Sequence, residues 1–308
     1  MALLIFLRCK IRQTPTASKK KISNANALFS ANQMIKEILK ENKLQILLIY
    51  SLLIIQYVLF SVMPYMLGKA IDGLLIKDNF NLFALLAAEI SALVLGFFLK
   101  RYDTKVFMKI FCDKAIKAVQ MLRDKNIIPA KIAARYQLVG YYSDFFEYSL
   151  PQIINSFIGA GTALTMLYIT DHKIGIIASI LFFLMIIVNK IYSFKTQKVD
   201  LNIQNNKESI NHSLMENLEY RPHLVDLGNN YIKKSNLDAA NFFFNDSLSI
   251  IMHLSIMLLL VYTNPTVGAI TSTLLYVDKL YGVTYNIFYF FMFMRGIENT
   301  NKLLHEMD

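Results

Sequence analysis

Tryptophan is absent from this chain of 308 residues, and cysteine occurs only at Cys9 and Cys112. Neither cysteine has a CxxC partner, so a disulfide framework is excluded as the organising device. Without tryptophan, any belt of polar-headed aromatics at a membrane surface has to be built from tyrosine. Charge is scarce too: Asp, Glu, Lys and Arg supply 18% of residues against 55% hydrophobic ones, and the mean hydropathy is +0.40. A chain this apolar is excluded from ordinary solvent exposure and has a membrane composition.

Several chemical signatures are missing as well. No Gly-rich loop ends in Gly-Lys-Ser or Gly-Lys-Thr. The GxG at Gly159 to Gly161 lies in an apolar stretch and lacks both the spacing and the lysine that cradle phosphate. There is no HxxxH or HExxH arrangement, and Ser, His and Asp occur without the spacing of a hydrolytic triad. The expectation is a non-enzyme with no catalytic, cofactor-binding or metal-ligating residues of its own. The start, MALLIFLRCK, has its basic residues after the apolar run; this order is wrong for a secretory signal, so the segment is retained.

The formal charge of +10 would by itself suggest nucleic acid, but much of it is local. Up to Lys43 there are nine Lys or Arg against two acidic residues, and residues 100–150 carry ten against five. Basic segments beside apolar spans indicate the cytoplasmic side of a membrane, and no nucleic-acid partner is expected. Lys19, Lys20 and Lys21 suit either anionic lipid headgroups or a plain solvated run.

Residues 44–67 are 24 residues without a charge, enough to cross a ~30 Å hydrocarbon layer at ~1.5 Å per residue. Pro64 and Gly68 lie at its end. Further spans are expected at 80–99, interrupted by Glu89, at 148–170, and at 174–189, with Lys173 and Lys190 snorkelling from the ends of the last. From 247 to 277 there are 31 uncharged residues broken by Asn264-Pro265; these divide into a fifth span ending near Tyr262 and a sixth over 266–294.

Links between spans are alternately short and long, the long ones about 50 and 57 residues. The long links and the basic N-terminus therefore share the cytoplasmic side, as does the C-terminus. Val106, Phe107, Ile110, Phe111, Ala115, Ala118, Val119 and Leu122 form a helical stripe, with Lys105, Lys109, Lys114 and Lys117 on the polar surface. The second span is thus expected to continue out of the membrane, turn at Asn126, Ile127, Ile128 and Pro129, and return through 133–147. The second link is expected to turn around 219–228, where Pro222 interrupts the helix.

In that order and spacing, PYMLGKAIDGLL at 64–75, RYDTKVFMKIF at 101–111, AARYQLVGYYSDFFEYSLPQII at 133–154, ENLEYRPHLVDLG at 216–228 and MRGIENTNKLLHE at 294–306 resemble the six-helix transmembrane domain of type-one ABC exporters. The resemblance covers residues 28–306 and implies an all-α membrane protein, six transmembrane helices with long cytoplasmic helical extensions, domain-swapped in a dimer. Residues 1–43 then form a basic cytoplasmic N-terminus with an elbow helix over 28–41, 44–294 the six-helix domain, and 295–308 a short cytoplasmic tail.

Carried over by resemblance, Asn126 to Pro129 form one coupling turn. Leu218, Glu219, Tyr220, Arg221, Pro222, His223, Leu224, Val225 and Asp226 form the other. In the family such turns seat on ATP-binding domains. This chain ends at Asp308, where a fused exporter would begin that domain. ATP is therefore implied only through a separate ABC ATPase, alongside membrane lipids and a homo- or heterodimeric partner in the bacterial inner or cell membrane. The expected function is that of a permease subunit for an unidentified substrate. Two alternatives stay open: an ATPase-independent, proton-coupled peptide or small-molecule transporter, and a non-transporting interaction or regulatory protein.

Within the spans, Glu89 and Asp278 are the candidates for transport or coupling, because an ionised carboxylate in lipid is costly. Each suits proton uptake, attraction of a cationic substrate, or a structural pair with Lys279 or Lys190. Tyr281, Tyr285 and Phe288 share one face by helical spacing and suit an amphipathic or aromatic substrate. Asn155, Asn189, His253 and Asn286 suit either a polar path or satisfied packing. Gly159 and Gly161, beside Ala160 and Ala163, suit close helix approach or a local bend.

Overall fold

The computed structural model describes residues 38–124, 145–215, 218–263 and 265–306. The chain divides into two compact units, Met1–Glu41 and Asn42–Asp308, and the second holds the helices described below. The elbow helix lies almost entirely outside the described residues, as do Cys9 and the turn at Asn126, Ile127, Ile128 and Pro129.

Six long helices are present among the described residues: α1 Lys43–Leu75, α2 Phe80–Asp124, α3 Leu150–Thr170, α4 His172–Met215, α5 Arg221–Thr263 and α6 Val267–Glu306. Five stretches are long and apolar enough to cross a membrane: Lys43–Leu75, Phe80–Ile116, Phe145–Thr170, His172–Lys207 and Arg221–Thr263. The expected sixth span is helical, but α6 carries Asp278, Lys279 and several tyrosines and does not meet the same standard of length and apolarity.

Cross-helix contacts give the directions. Gln56 on α1 meets Ala92 on α2, Ser61 meets Lys279 and Asp72 meets Thr266, and Asn189 on α4 meets Asn241 on α5. Odd-numbered helices therefore run one way and even-numbered helices the other. The short turns at 76–79 and 171 gather at one end, with Pro265 and Thr266 ahead of α6. The first is closed by Lys77 in the left-handed region at φ 62°, and Asp78 Oδ1 accepts the Phe80 N–H at 2.9 Å. Asp171 plays the same part for α4, accepting the Lys173 N–H at 2.7 Å.

At the other end α2, α4 and α5 run far beyond a membrane's thickness, at 45, 44 and 43 residues. On the α2 extension Val106, Phe107, Ile110 and Ala115 are buried as the stripe requires, and Lys105 and Lys109 are exposed. Lys114 departs from the expectation and is buried. The return into α3 is a π-helical turn at Phe145–Ser149. Pro151 follows it and offers no N–H to the carbonyl four residues back, so the chain widens there. Glu147, in this turn, is buried and accepts from Lys100 Nζ at 3.2 Å and Thr104 Oγ1 at 3.0 Å. On the second long link Leu218, Glu219 and Tyr220 lead directly into α5, which already starts at Arg221. Pro222 therefore sits in the first turn of a helix, where a missing N–H is harmless, and does not interrupt one.

The core lies among α3, α4, α5 and α6, with Leu167, Ile174, Met185, Met252, Ile256, Tyr276, Val277 and Leu280 buried together. Within the most apolar stretches only 17–33% is buried, so apolar side chains mostly face outward. In lipid, association then rests on close packing and hydrogen bonds more than on exclusion of water. The closest approach joins Gly68 of α1 to Gly268 of α6: a Cβ on Gly268 would lie 2.0 Å from the Gly68 carbonyl oxygen and 2.7 Å from Asp72 Cγ. Asp72 then accepts from Thr266 Oγ1 at 2.7 Å and the Gly268 N–H at 2.8 Å, satisfying donors at the start of α6.

Candidate functional site

The apolar helices α5 and α6 carry polar groups that lie opposite one another. On α5 these are Asp246, Ser249 and His253, and on α6 Asp278, Tyr281 and Tyr285. Asp246 to His253 and Asp278 to Tyr285 are both seven-residue steps, close to two helical turns, or ~10 Å along each axis.

In the upper level, His253 Nε2 lies 3.0 Å from Asp278 Oδ1, and His253 Nδ1 lies 2.8 Å from the Ser249 carbonyl oxygen. A carbonyl has no proton to give, so Nδ1–H is the donor there. The contact between Nε2 and Oδ1 then needs a proton of its own. With a proton on Nε2 the contact is an ion pair between imidazolium and carboxylate. Asp278 is nonetheless 63% exposed at its side chain.

The lower level is a triangle of oxygens. Tyr285 Oη donates to Asp246 Oδ1 at 2.9 Å, and Tyr281 Oη contacts both Asp246 Oδ1 and Tyr285 Oη. The two tyrosine rings meet edge to face with centroids 5.0 Å apart, and Phe242 packs against Tyr285 at 5.4 Å. Asp246 is exposed and, among the described residues, pairs with no Lys, Arg or His.

Behind this face a second polar set is closed off. Asn189 is 1% exposed; its Nδ2 donates to the Thr284 carbonyl at 3.0 Å, and its Oδ1 accepts from Asn241 Nδ2 at 3.1 Å and Asn245 Nδ2 at 3.0 Å. Three of its four hydrogen-bonding positions fasten α4 to α5 and α6, which makes it a structural hub.

Lys279 does not neutralise Asp278. Its ammonium donates across to α1, to the Phe60 carbonyl at 3.2 Å and Ser61 Oγ at 3.0 Å. Phe60 is four residues before Pro64, which sits inside α1 and lacks the N–H that would occupy that carbonyl. Lys279 thus fills the bond that Pro64 leaves open, as neighbouring helices do for prolines within membranes.

Residues 35–268 match the ABC transporter transmembrane region family, more than half of the chain. The chain belongs to that family. No curated protein matches it in sequence. The match takes in α1 to α5 and reaches only the start of α6, so Asp278, Tyr281 and Tyr285 lie beyond the matched segment.

In this ABC-transporter membrane domain, the structure brings Asp278, Tyr281 and Tyr285 onto one face of α6. It does not bring Glu89 or Phe288 with them. Glu89 is exposed on α2, whose main neighbour is α1, and it forms no hydrogen bond or ion pair among the described residues. Phe288 is 4% exposed and packs edge to face on Tyr289, so the stripe that is open at Tyr281 and Tyr285 is covered one turn on. Gly159 does serve close approach, since a Cβ there would lie 3.2 Å from Lys279 Cε, whereas nothing lies within 4 Å of one at Gly161. Leu218, Glu219 and Tyr220 precede α5, and Arg221, Pro222, His223, Leu224, Val225 and Asp226 form its first turns. Asp246 is the residue that sequence reasoning missed. Its signal was present: it is the last charged residue before the uncharged run, seven residues from His253. No group of three or more His, Cys, Asp or Glu is arranged for a metal among the described residues.

Proposed function

We propose that the chain is the permease subunit of an ABC-type transporter, contributing six spans and half of a translocation pathway to a domain-swapped dimer. The observation that carries this is the α5–α6 face: in a transmembrane-region family member, two exposed carboxylates and two tyrosine hydroxyls stand among apolar residues. An ionised group facing lipid costs about 2.5–3.5 kcal/mol at a helix centre on insertion scales, so such groups face protein or water. A pathway between two copies supplies both. On this reading α6 is the sixth span, and the long extensions and both termini are cytoplasmic, in keeping with the basic excess up to Lys43 and over 100–150.

The extensions carry the coupling turns, at Asn126 to Pro129 and at Leu218 to Asp226, to a separate ATP-hydrolysing subunit that holds the nucleotide. The test is co-purification from native membranes in mild detergent. Vanadate-sensitive ATPase activity should accompany the chain and should be lost when residues 218–220 are replaced by Gly-Ser-Gly. An assembled membrane complex with no such activity would sink the ATPase-driven permease.

The His253 and Asp278 pair favours a second reading, transport coupled to protons without an ATPase, since a proton can be shared across its 3.0 Å contact beside the apolar stretch of α5. Asp278→Asn should then abolish the pH dependence of flux in proteoliposomes lacking any ATPase. Unchanged flux across the pH range would reject this version.

A further inference from the structure

We infer that Asp246, Tyr281, Tyr285 and Phe242 form a binding site for a lipophilic organic cation. Naming this class treats the occupant as cargo and so rests on the permease assignment.

Charge balance comes first. His253 contacts Asp278 at 3.0 Å, Lys279 is turned away to α1, and Asp246 is left as the carboxylate on this face with no Lys, Arg or His against it among the described residues. Its Oδ1 takes part in a triangle in which two phenolic protons serve three oxygen–oxygen contacts. Phenols soften a carboxylate's charge but do not cancel it. Asp246 borders an uncharged run of 31 residues in a chain whose formal charge is +10, so negative charge here is local and is not the overspill of an acidic surface.

The shape of the site selects the kind of cation. An inorganic divalent ion needs six or more oxygen ligands for Ca²⁺, or a near-octahedral set for Mg²⁺. One carboxylate with two neutral phenols falls short of that. The neighbours are instead aromatic: the edge-to-face Tyr281 and Tyr285 pair leaves ring surface beside the carboxylate, and Phe242 extends it. Ring faces attract cations through their quadrupole, and more strongly when the cation is poorly hydrated. A protonated amine or quaternary cation with an apolar body satisfies the carboxylate and the rings together, at a level where the chain turns from polar to apolar.

The experiment measures equilibrium binding of tetraphenylphosphonium to the full chain in lipid nanodiscs without any ATPase, with empty nanodiscs subtracted. Saturable binding is expected, and the isosteric anion tetraphenylborate, measured in separate samples, should show none. Asp246→Asn, which keeps the side-chain shape and an acceptor, should weaken it about ten-fold, and Tyr285→Leu about five-fold. Asp246→Glu should restore binding to within about three-fold of the original, which separates loss of charge from loss of fold. Absence of saturable binding, wild-type affinity in Asp246→Asn, or equal loss in Asp246→Glu and Asp246→Asn would overturn the site. Because no ATPase is present, these outcomes are independent of whether ATPase activity co-purifies, so either conclusion can fail alone.

Discussion

If Lys279 serves the carbonyl that Pro64 leaves open, the energetic worth of Lys279 must depend on residue 64. In the native chain Lys279→Met removes the donors to Phe60 O and Ser61 Oγ, which lie 3.2 and 3.0 Å from its ammonium. A serine hydroxyl on a helix can turn to a carbonyl of its own preceding turn, as Ser91 does with Ala87 O at 2.7 Å. The Phe60 carbonyl has no such recourse, because Pro64 cannot donate to it. The contact with Lys279 lies on the exposed surface of the single chain, and where that surface meets lipid in place of water, an acceptor left unmade costs about 1–3 kcal/mol. In Pro64→Ala the restored N–H at position 64 takes that carbonyl into the α1 ladder, and Lys279→Met then leaves little behind. The relief from a desolvated ammonium is common to both backgrounds and cancels in the cycle. The coupling between Pro64→Ala and Lys279→Met should therefore be about 1–3 kcal/mol, with each substitution lessening the other's cost. The measurement is a double-mutant cycle by reversible unfolding in mixed micelles, followed by tyrosine emission, for which the absence of tryptophan is an advantage. Additivity to within about 0.5 kcal/mol would refute the reasoning.

Four other substitutions probe the same bundle. Gly268→Ala should destabilise by about 1–3 kcal/mol, since its Cβ would meet the Gly68 carbonyl at 2.0 Å. Gly161→Ala, with open space around it, should be neutral or stabilising by about 0.5–1 kcal/mol on the same unfolding assay. Asn189→Leu should cost about 2–5 kcal/mol and lower the melting temperature in detergent, because the Asn241 and Asn245 amides lose their shared acceptor and Thr284 O its donor. Asp72→Ala should cost about 1–2 kcal/mol and speed hydrogen exchange at the Gly268 amide, whose acceptor is the Asp72 carboxylate.

Helix ends were legible where the sequence changes chemistry. Phe80 opens α2, the α3 helix stops at Thr170, and Asn264-Pro265 separates α5 from α6, each at a point where charge or proline interrupts an apolar run. The long extensions of α2, α4 and α5 were legible from link length and from the stripe through Val106, Phe107 and Ile110. Partners across helices were not. Asp278 and Lys279 look like a neutralising pair on paper, yet consecutive helical residues point about 100° apart. One reaches α5 and the other reaches α1. Asn189 could be placed in a span but not assigned a role, because its three partners sit 52, 56 and 95 residues away. Asp246 was passed over because it borders an apolar run from outside, and only the register of α5 against α6 sets it beside two tyrosines.

That register also bears on why α6, among the described residues, lacks a stretch as apolar as the five that can cross a membrane. Hydropathy treats each side chain as though it met lipid alone, whereas α6 packs on α1, α3 and α4 and touches α5. Its Lys279 is met by α1, its Thr284 carbonyl by Asn189 of α4, its Asp278 by His253 and its tyrosines by Asp246 of α5. A helix whose polar groups are each answered by a neighbour loses most of the penalty that would keep it out of a bilayer on its own. The two groups that remain on an exposed face, Asp246 and Asp278, then define where water, a second copy or a cation has to be. The features that interrupt the apolar run of α6 thus support the proposal that it both crosses the membrane and borders the pathway.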